Sequence, residues 1–169
     1  MFSTEDNVAR KGTATQSDTS HSGDASRAID GNANTDWAGN SCTHTSAQKD
    51  PWWRVNLKDK SRFRQSTVTI TNRADCCSER LSGAEIRIGS SLENNGNSNP
   101  LCERVGSAEG IKTLSVNCKG MVGQYVNIII PGSGIHLTLC EVVICGSKES
   151  GFGKNASKSA QFGHIAWQY

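Results

Sequence analysis

Short apolar runs, separated by turn residues and never repeating at helical intervals, confine this chain to β-structure. Ser66-Thr67-Val68-Thr69-Ile70-Thr71-Asn72 alternates polar and β-branched apolar residues, the pattern of a strand with one face on a core. Residues 83–89 alternate in the same way, with Ala84, Ile86 and Ile88 set against Glu85 and Arg87. Pro51-Trp52-Trp53-Arg54-Val55-Asn56-Leu57 reads as a strand with large aromatics. Residues 126–130 are almost unbroken apolar, which suits a strand covered on both faces. Residues 113–118 and 137–144 complete the set, with a short strand expected near 8–14. Residues 58–65 read as a charged hairpin loop and 90–101 as a turn-rich loop. No amphipathic helix of ten or more residues is present. Short strands divided by turn signals predict an all-β sandwich or barrel.

The length of 169 residues and a hydrophobic share of 35% suit one core with room for an appendage. A formal charge of +2 gives no electrostatic footprint for nucleic acid or an anionic membrane. No run approaches the roughly 18 apolar residues of a membrane span, so neither nucleic acid nor membrane insertion is expected. The start, Met-Phe-Ser-Thr-Glu-Asp-Asn, carries no apolar leader core, which leaves an intracellular chain or one whose leader has been removed. The seven cysteines choose between these. None stands in Cys-x-x-Cys spacing, and no Cys/His cluster has zinc-site spacing. Scattered through a loop-rich chain, they read as a disulfide framework formed in an oxidising compartment, and predict a secreted, extracellular protein. Their odd number leaves at least one thiol free or bonded to another chain. After Gly146 the composition turns rich in Gly, Ser and Lys. Residues 147–169 are expected to be a tail or inter-module linker, with the sequon Asn155-Ala156-Ser157.

The run Arg73-Ala74-Asp75-Cys76-Cys77-Ser78-Glu79-Arg80 begins where the 66–72 strand ends, and packing does not explain it. Such a loop sits at the rim of a sheet, where scaffolds carry function. The two adjacent cysteines either pair elsewhere or bond to each other. Consecutive Cα atoms lie about 3.8 Å apart, short of the usual disulfide span of about 4.4–6.8 Å, so a mutual bond would close a strained ring of the kind functional sites retain. Arg73 and Arg80 supply fixed forks of donors, unless they are spent on surface ion pairs with Asp75 and Glu79. His44, in Cys42-Thr43-His44-Thr45, is a lone imidazole able to donate and accept. Arginines, histidine and an apolar sulfur plate suit a sugar, whose hydroxyls lie on one face and C–H groups on the other. They suit a phosphate less well, because two carboxylates oppose it.

These residues resemble the motif of the F-type lectin (fucolectin) family. The motif is a histidine, a spacer, then Arg-x-Asp, four residues and a further Arg or Lys. Here His44 is followed by 28 residues, a slightly long spacer, and then by Arg73-Ala74-Asp75 and Arg80. The extra length is expected in the 58–65 hairpin. Ala28-Ile29-Asp30-Gly31-Asn32, Pro51-Trp52-Trp53-Arg54-Val55, Thr69-Ile70-Thr71-Asn72-Arg73 and Leu139-Cys140-Glu141-Val142 also resemble family blocks, and the resemblance covers residues 5–146. It implies a jelly-roll β-sandwich, close to discoidin and galactose-binding domains, that binds L-fucose. His44, Arg73 and Arg80 would donate hydrogen bonds to the ring oxygen and hydroxyls of the sugar, Asp75 would orient them, and a Cys76–Cys77 disulfide would pack on the ring. Trp37 would lie near the fucose methyl. The resemblance also implies the disulfides Cys42–Cys140 and Cys102–Cys118, with Cys145 left over. The variable loop at 19–23, with His21, would help select sugars beyond fucose.

Asp30-Gly31-Asn32-Ala33-Asn34-Thr35 superficially matches an EF-hand loop. It fails at the sixth position, Thr35, where glycine is required, and at the twelfth, Ser41, where glutamate is required. The stretch remains dense in oxygen donors. The resemblance implies a structural calcium held by the Asp30 and Glu141 carboxylates, Ser41, and the backbone carbonyls of Arg27, Asn32 and Cys140. Taken together, these readings predict a secreted, calcium-stabilised lectin for fucose-terminated glycans on cell surfaces, serving innate immune recognition or adhesion. It would not be an enzyme, and would act as a homo-oligomer or multi-module chain. A fucoside hydrolase would need two carboxylates about 5–9.5 Å apart across the scissile bond. A discoidin-like adhesion module for protein or lipid would need exposed apolar spikes.

Overall fold

A computed structural model of the chain describes residues 6–58 and 63–148. Its strands are β1 (Asp6–Asn7), β2 (Thr13–Gln16), β3 (Trp52–Asn56), β4 (Phe63–Thr71), β5 (Glu85–Gly89), β6 (Leu101–Arg104), β7 (Thr113–Gly123), β8 (Tyr125–Ile129) and β9 (Glu141–Lys148). They form two sheets, in the orders β1-β9-β4-β7 and β2-β3-β8-β5-β6, and every strand pairing is antiparallel. The helical content among the described residues is limited to 3₁₀ turns of three to five residues. This is the expected all-β jelly-roll sandwich. The sequon and the rest of the tail from residue 149 onward lie outside the described residues, as do positions 59–62 of the predicted hairpin.

Period-two alternation builds the core. Val68 and Ile70 of β4 and Val142 and Ile144 of β9 point inward from one sheet. Trp53 and Val55 of β3, Ile86 and Ile88 of β5, and Val126 and Ile128 of β8 meet them from the other. Each such side chain contributes about 1.5–3 kcal/mol on leaving water. Trp53 is fully buried and donates its indole N–H to Ala25 O at 2.9 Å, which fixes the turn Ala25–Ile29 leading into the oxygen-rich loop. β8 is buried along all five residues. Its outer face is covered by the 93–97 segment, where Asn127 Nδ2 donates to Asn95 O at 2.9 Å.

Several local readings differ from the structure. Residues 63–65, expected in the 58–65 hairpin loop, already pair as the start of β4, and β7 runs on to Gly123, beyond the expected end at 118. Residues Val8–Lys11 form a 3₁₀ turn rather than a strand, because the Asn7 side chain caps the Ala9 N–H; pairing resumes only at Thr13. β6 emerges from the turn-rich loop as an edge strand, with little burial to mark it, and the Cys102–Cys118 disulfide ties it to β7. Residues 137–140 do not form a regular strand. The Leu137 and Leu139 N–H groups donate to the Thr45 and Thr43 hydroxyls instead of to a backbone ladder. Thr43 N and Thr45 N return bonds to Leu139 O and Leu137 O, so segment 42–45 is clamped against 137–140. The Cys42–Cys140 disulfide closes the same contact. β9 then continues to Lys148, two residues past the expected boundary at Gly146.

Candidate functional site

His44 rides on that clamped segment and is buried. Its Nδ1 lies 2.7 Å from Thr45 O, and His136 Nδ1 lies 3.1 Å from the same oxygen. A carbonyl only accepts, so each ring, when neutral, carries its hydrogen on Nδ1 and leaves a lone pair on Nε2. The His44 lone pair faces the Arg80 guanidinium, with Nη1 at 3.4 Å. Burial, first, then the charges of Arg80, His21 and His136 hold the His44 pKa below its ordinary 6.5, against the Thr45 bond that raises it. His21 and His136 flank His44 with ring centroids at 4.9 and 5.3 Å, and Trp37 meets it edge-on at 5.4 Å. His21 and Ser22 both adopt positive φ, 52° and 57°, in a tight turn pinned by Ser20 N to His44 O and His44 N to Gly23 O. Side chains other than glycine occupy that region at a cost, and such strain gathers at functional sites.

The Arg73–Arg80 run closes the other side. Arg73 grips Asp75 with two hydrogen bonds, Nε to Oδ1 and Nη2 to Oδ2, both 2.8 Å. Those bonds are the main reason that Asp75 is held down to a pKa of about 2. Asp75 Oδ1 also accepts the Trp37 N–H at 3.2 Å, and Ala74 N donates to Thr35 O at 2.9 Å. Arg73 lies over the Trp37 ring at 5.2 Å and Arg27 at 5.5 Å, a cation–π arrangement that holds the indole upright. Cys76 and Cys77 are joined to each other, and Cys76 is exposed at the rim. Cys77, at φ 65°, starts the short turn Ser78–Leu81 that carries Arg80.

The oxygen-rich loop lies against the start of β9. Glu141 is buried, and its Oε2 accepts the Gly31 N–H at 3.0 Å. Its Oε1 is buried without a partner. Burial above all, reinforced by the neighbouring Asp30 carboxylate, pushes Glu141 up to about 7. An orphaned buried carboxylate oxygen beside a second carboxylate is the donor chemistry of a hard divalent cation. Among the described residues no three His, Cys, Asp or Glu side chains are disposed to hold a metal ion, so a cation here would draw its remaining oxygens from hydroxyls and backbone carbonyls. The expected set, Asp30, Glu141, Ser41 and the carbonyls of Arg27, Asn32 and Cys140, is of that kind. The Ser41 hydroxyl itself bonds Asn34 O, which keeps it inside the loop.

The structure therefore brings His44, Arg73, Asp75, Arg80, Trp37 and the Cys76–Cys77 pair to one rim, with Asp30 and Glu141 beneath the adjoining loop. Sequence reasoning left His136 without a role. The clamp that places it beside His44 spans 92 positions, and no spacing signals it. Arg27 was expected to offer its carbonyl, and its side chain proves also to support Trp37. Cys145 is a free thiol of intermediate exposure.

A model of a NedA-like, galactose-binding domain matches residues 27–128. Fucolectin-1 of Anguilla japonica is 45% identical over 146 residues, covering 83% of this chain and 80% of that protein. The solved structure of an F-lectin (fucolectin) from striped bass (Morone saxatilis) serum superposes with a TM-score of 0.81 at 49% identity. It covers 85% of this chain, and the chain spans about half (48%) of that lectin. A Streptococcus pneumoniae fucose binding module superposes with a TM-score of 0.75 at 31% identity, over 87% of this chain and 99% of the module.

Proposed function

The chain belongs to the F-type lectin (fucolectin) family, and from that premise we propose that it binds terminal L-fucose on glycans through the rim built by His44, Arg73, Arg80, Trp37 and the Cys76–Cys77 disulfide. The observation that carries this reading is the pairing of His44 Nε2 with Arg80 Nη1 beside the exposed disulfide. A sugar hydroxyl both donates and accepts. It displaces the Arg80 Nη1–H from the Nε2 lone pair, gives its own hydrogen there, and takes hydrogens from the Arg80 and Arg73 forks. The backbone-selected tautomer thus makes neutral His44 an acceptor, where a donor was expected. Asp75 stays ionised and keeps Arg73 in place. The sulfur plate and the Trp37 edge supply the apolar contacts that a 6-deoxy sugar needs for its C–H face and methyl.

Calcium, held by Asp30, Glu141, Ser41 and the carbonyls of Arg27, Asn32 and Cys140, would supply structural charge that neutralises the two carboxylates. The chain's own bonds from that loop, Trp37 N to Asp75 and Thr35 O to Ala74, then carry its order to the sugar rim. Disulfide density supports a secreted, extracellular protein. One monosaccharide site binds weakly, so useful avidity calls for several sites on a homo-oligomer or multi-module chain, as recognition of fucosylated cell surfaces in innate immunity or adhesion would require. A hydrolytic role is disfavoured by Asp75, whose depressed pKa leaves it a poor proton donor. The test is a glycan array with calorimetry on L-fucose: fucose-restricted binding lost in Arg80→Ala is the expected result. Release of fucose from an aryl fucoside, or absence of glycan binding, would overturn the reading.

A further inference from the structure

His44 and His136 both donate from Nδ1 to Thr45 O. In water the Nδ1–H form of a neutral histidine is the minor one, so that carbonyl must hold it against the Nε2–H form. The two imidazoles occupy both lone pairs of the oxygen, and its direction decides what each ring presents. The Thr45 carbonyl and the Ser46 N–H belong to one planar peptide unit and point from its opposite edges. Fixing the N–H therefore fixes the carbonyl. That N–H donates to Asp18 Oδ1 at 3.0 Å, and the Ser46 hydroxyl donates to Asp18 Oδ2. Gln48 Nε2 adds a third bond, to Oδ1. Gln48 in turn pairs with Ile135 through two backbone bonds of 3.0 Å, next to His136.

Asp18 is itself anchored. It follows β2, and the ladder with β3 runs on through Ser17 N to Trp52 O at 2.9 Å and Trp52 N to Ser17 Oγ at 3.2 Å. Burial works to raise its pKa, but the Ser46 hydroxyl, the Ser46 N–H, Gln48 and the charge of His44 bring it below its ordinary 3.8. It is a carboxylate at neutral pH. An ionised acceptor binds an N–H more strongly than a neutral one, and it polarises the peptide so that the far carbonyl becomes the better acceptor. We propose that Asp18 is a positioning residue of the sugar rim: through the 45–46 peptide it locks the Nδ1–H tautomer of His44 and so presents Nε2 to the sugar as an acceptor. The inference rests on the fucose reading above and deepens it, because it names what selects the acceptor.

Two measurements on the intact protein decide the matter. Nitrogen NMR of isotope-labelled histidine at pH 8 reads the tautomers, and calorimetry reads L-fucose affinity. The parent should show the Nδ1–H form at His44 and His136. Asp18→Ala leaves the Ser46 N–H without its carboxylate; both rings should shift toward Nε2–H, and affinity should fall about tenfold. Asp18→Asn keeps an acceptor but discards the charge, so the shift should be smaller and the loss about threefold. If Asp18→Ala does not fold, Asp18→Asn decides alone. Affinity lost while His44 stays wholly Nδ1–H would make Asp18 a structural residue only and overturn the proposal. A tautomer shift without loss of affinity would overturn it too, as would no change in either readout, and in these cases the fucose reading stands. If the parent holds the Nδ1–H form but does not bind L-fucose, the fucose reading falls and the positioning role falls with it.

Discussion

The Trp37 backbone N–H donates to Asp75 Oδ1 at 3.2 Å, the oxygen that also takes Arg73 Nε at 2.8 Å. One carboxylate thereby joins the oxygen-rich loop to the His44–Arg80 rim and sets the direction of an arginine fork. Asp75→Asn keeps an acceptor for Trp37 but cannot hold both arms of Arg73 as an ion pair. Freed, Arg73 must be ordered when sugar binds. The expected result is a loss of fucose affinity of about tenfold, or 1.4 kcal/mol. Because Asp75 is exposed, the melting temperature should barely move. Calorimetry and a thermal melt on the same sample check both statements, and an unchanged affinity would remove the positioning role.

The tautomer of His44 fixes the sign of a pH dependence. Its pKa lies below 6.5, because burial and the charges of Arg80, His21 and His136 oppose a proton. At pH 7–8 the ring is neutral and Nε2 is an acceptor, held by Arg80 Nη1 until a hydroxyl replaces it, so fucose affinity should be flat there. As the pH falls through that lowered pKa, protonation puts an N–H where the lone pair was and sets the imidazolium face to face with the Arg80 cation, so affinity should fall. The fall should disappear in His44→Gln, which offers an acceptor but does not titrate. A fluorescence titration of L-fucose from pH 8 to 5 tests this; affinity that rises on acidification would contradict the acceptor role.

How far the sequence reaches can be read from particular residues. β3, β4, β5, β7 and β8 were legible because each repeats apolar residues with period two, or buries both faces, over five residues or more. β6 was not. Leu101–Arg104 is an exposed edge whose place is set by a disulfide and by β5, and neither leaves a local pattern. Residues 137–140 looked like strand because they are apolar, yet the Leu137 and Leu139 N–H groups go to threonine hydroxyls that only the fold brings near. The Arg73–Arg80 loop was legible because charge and adjacent cysteines at a strand end have few structural uses. The company that His136 keeps was not, since one shared carbonyl creates it.

The Cys76–Cys77 pair invites a double substitution to serine. Cys77 already holds its positive φ as a non-glycine residue, so serine inherits the same backbone strain rather than adding to it. What is lost is the apolar sulfur surface at the rim and the ring that fixes the start of the Ser78–Leu81 turn. Fucose affinity should drop by about tenfold or more, with Arg80 less well placed, while the core strands keep the fold. Calorimetry measures the drop, and near-ultraviolet circular dichroism confirms that tertiary packing persists. Full affinity in the double serine variant would exclude any contact between the disulfide and the sugar.

Glu141 supplies the sharpest test of a bound cation. Its buried Oε1 has no partner, and burial beside Asp30 already pushes its pKa up to about 7, so an ionised side chain there lacks compensation unless a cation provides it. Calcium at a hundredfold excess over its dissociation constant would add about 2.7 kcal/mol of stability, or roughly 5–10 °C in melting temperature for a domain of this size. Removing it with EDTA at pH 8 should reverse that gain and weaken fucose binding, because the loop that presents the Trp37 N–H to Asp75 loosens. Glu141→Gln keeps the volume and discards the charge. It should melt at the same temperature with and without calcium, and no lower than the parent in EDTA. A calcium-induced shift that survives in Glu141→Gln would place the cation elsewhere, and its absence from the parent would show that the Asp30–Glu141 pair folds without one.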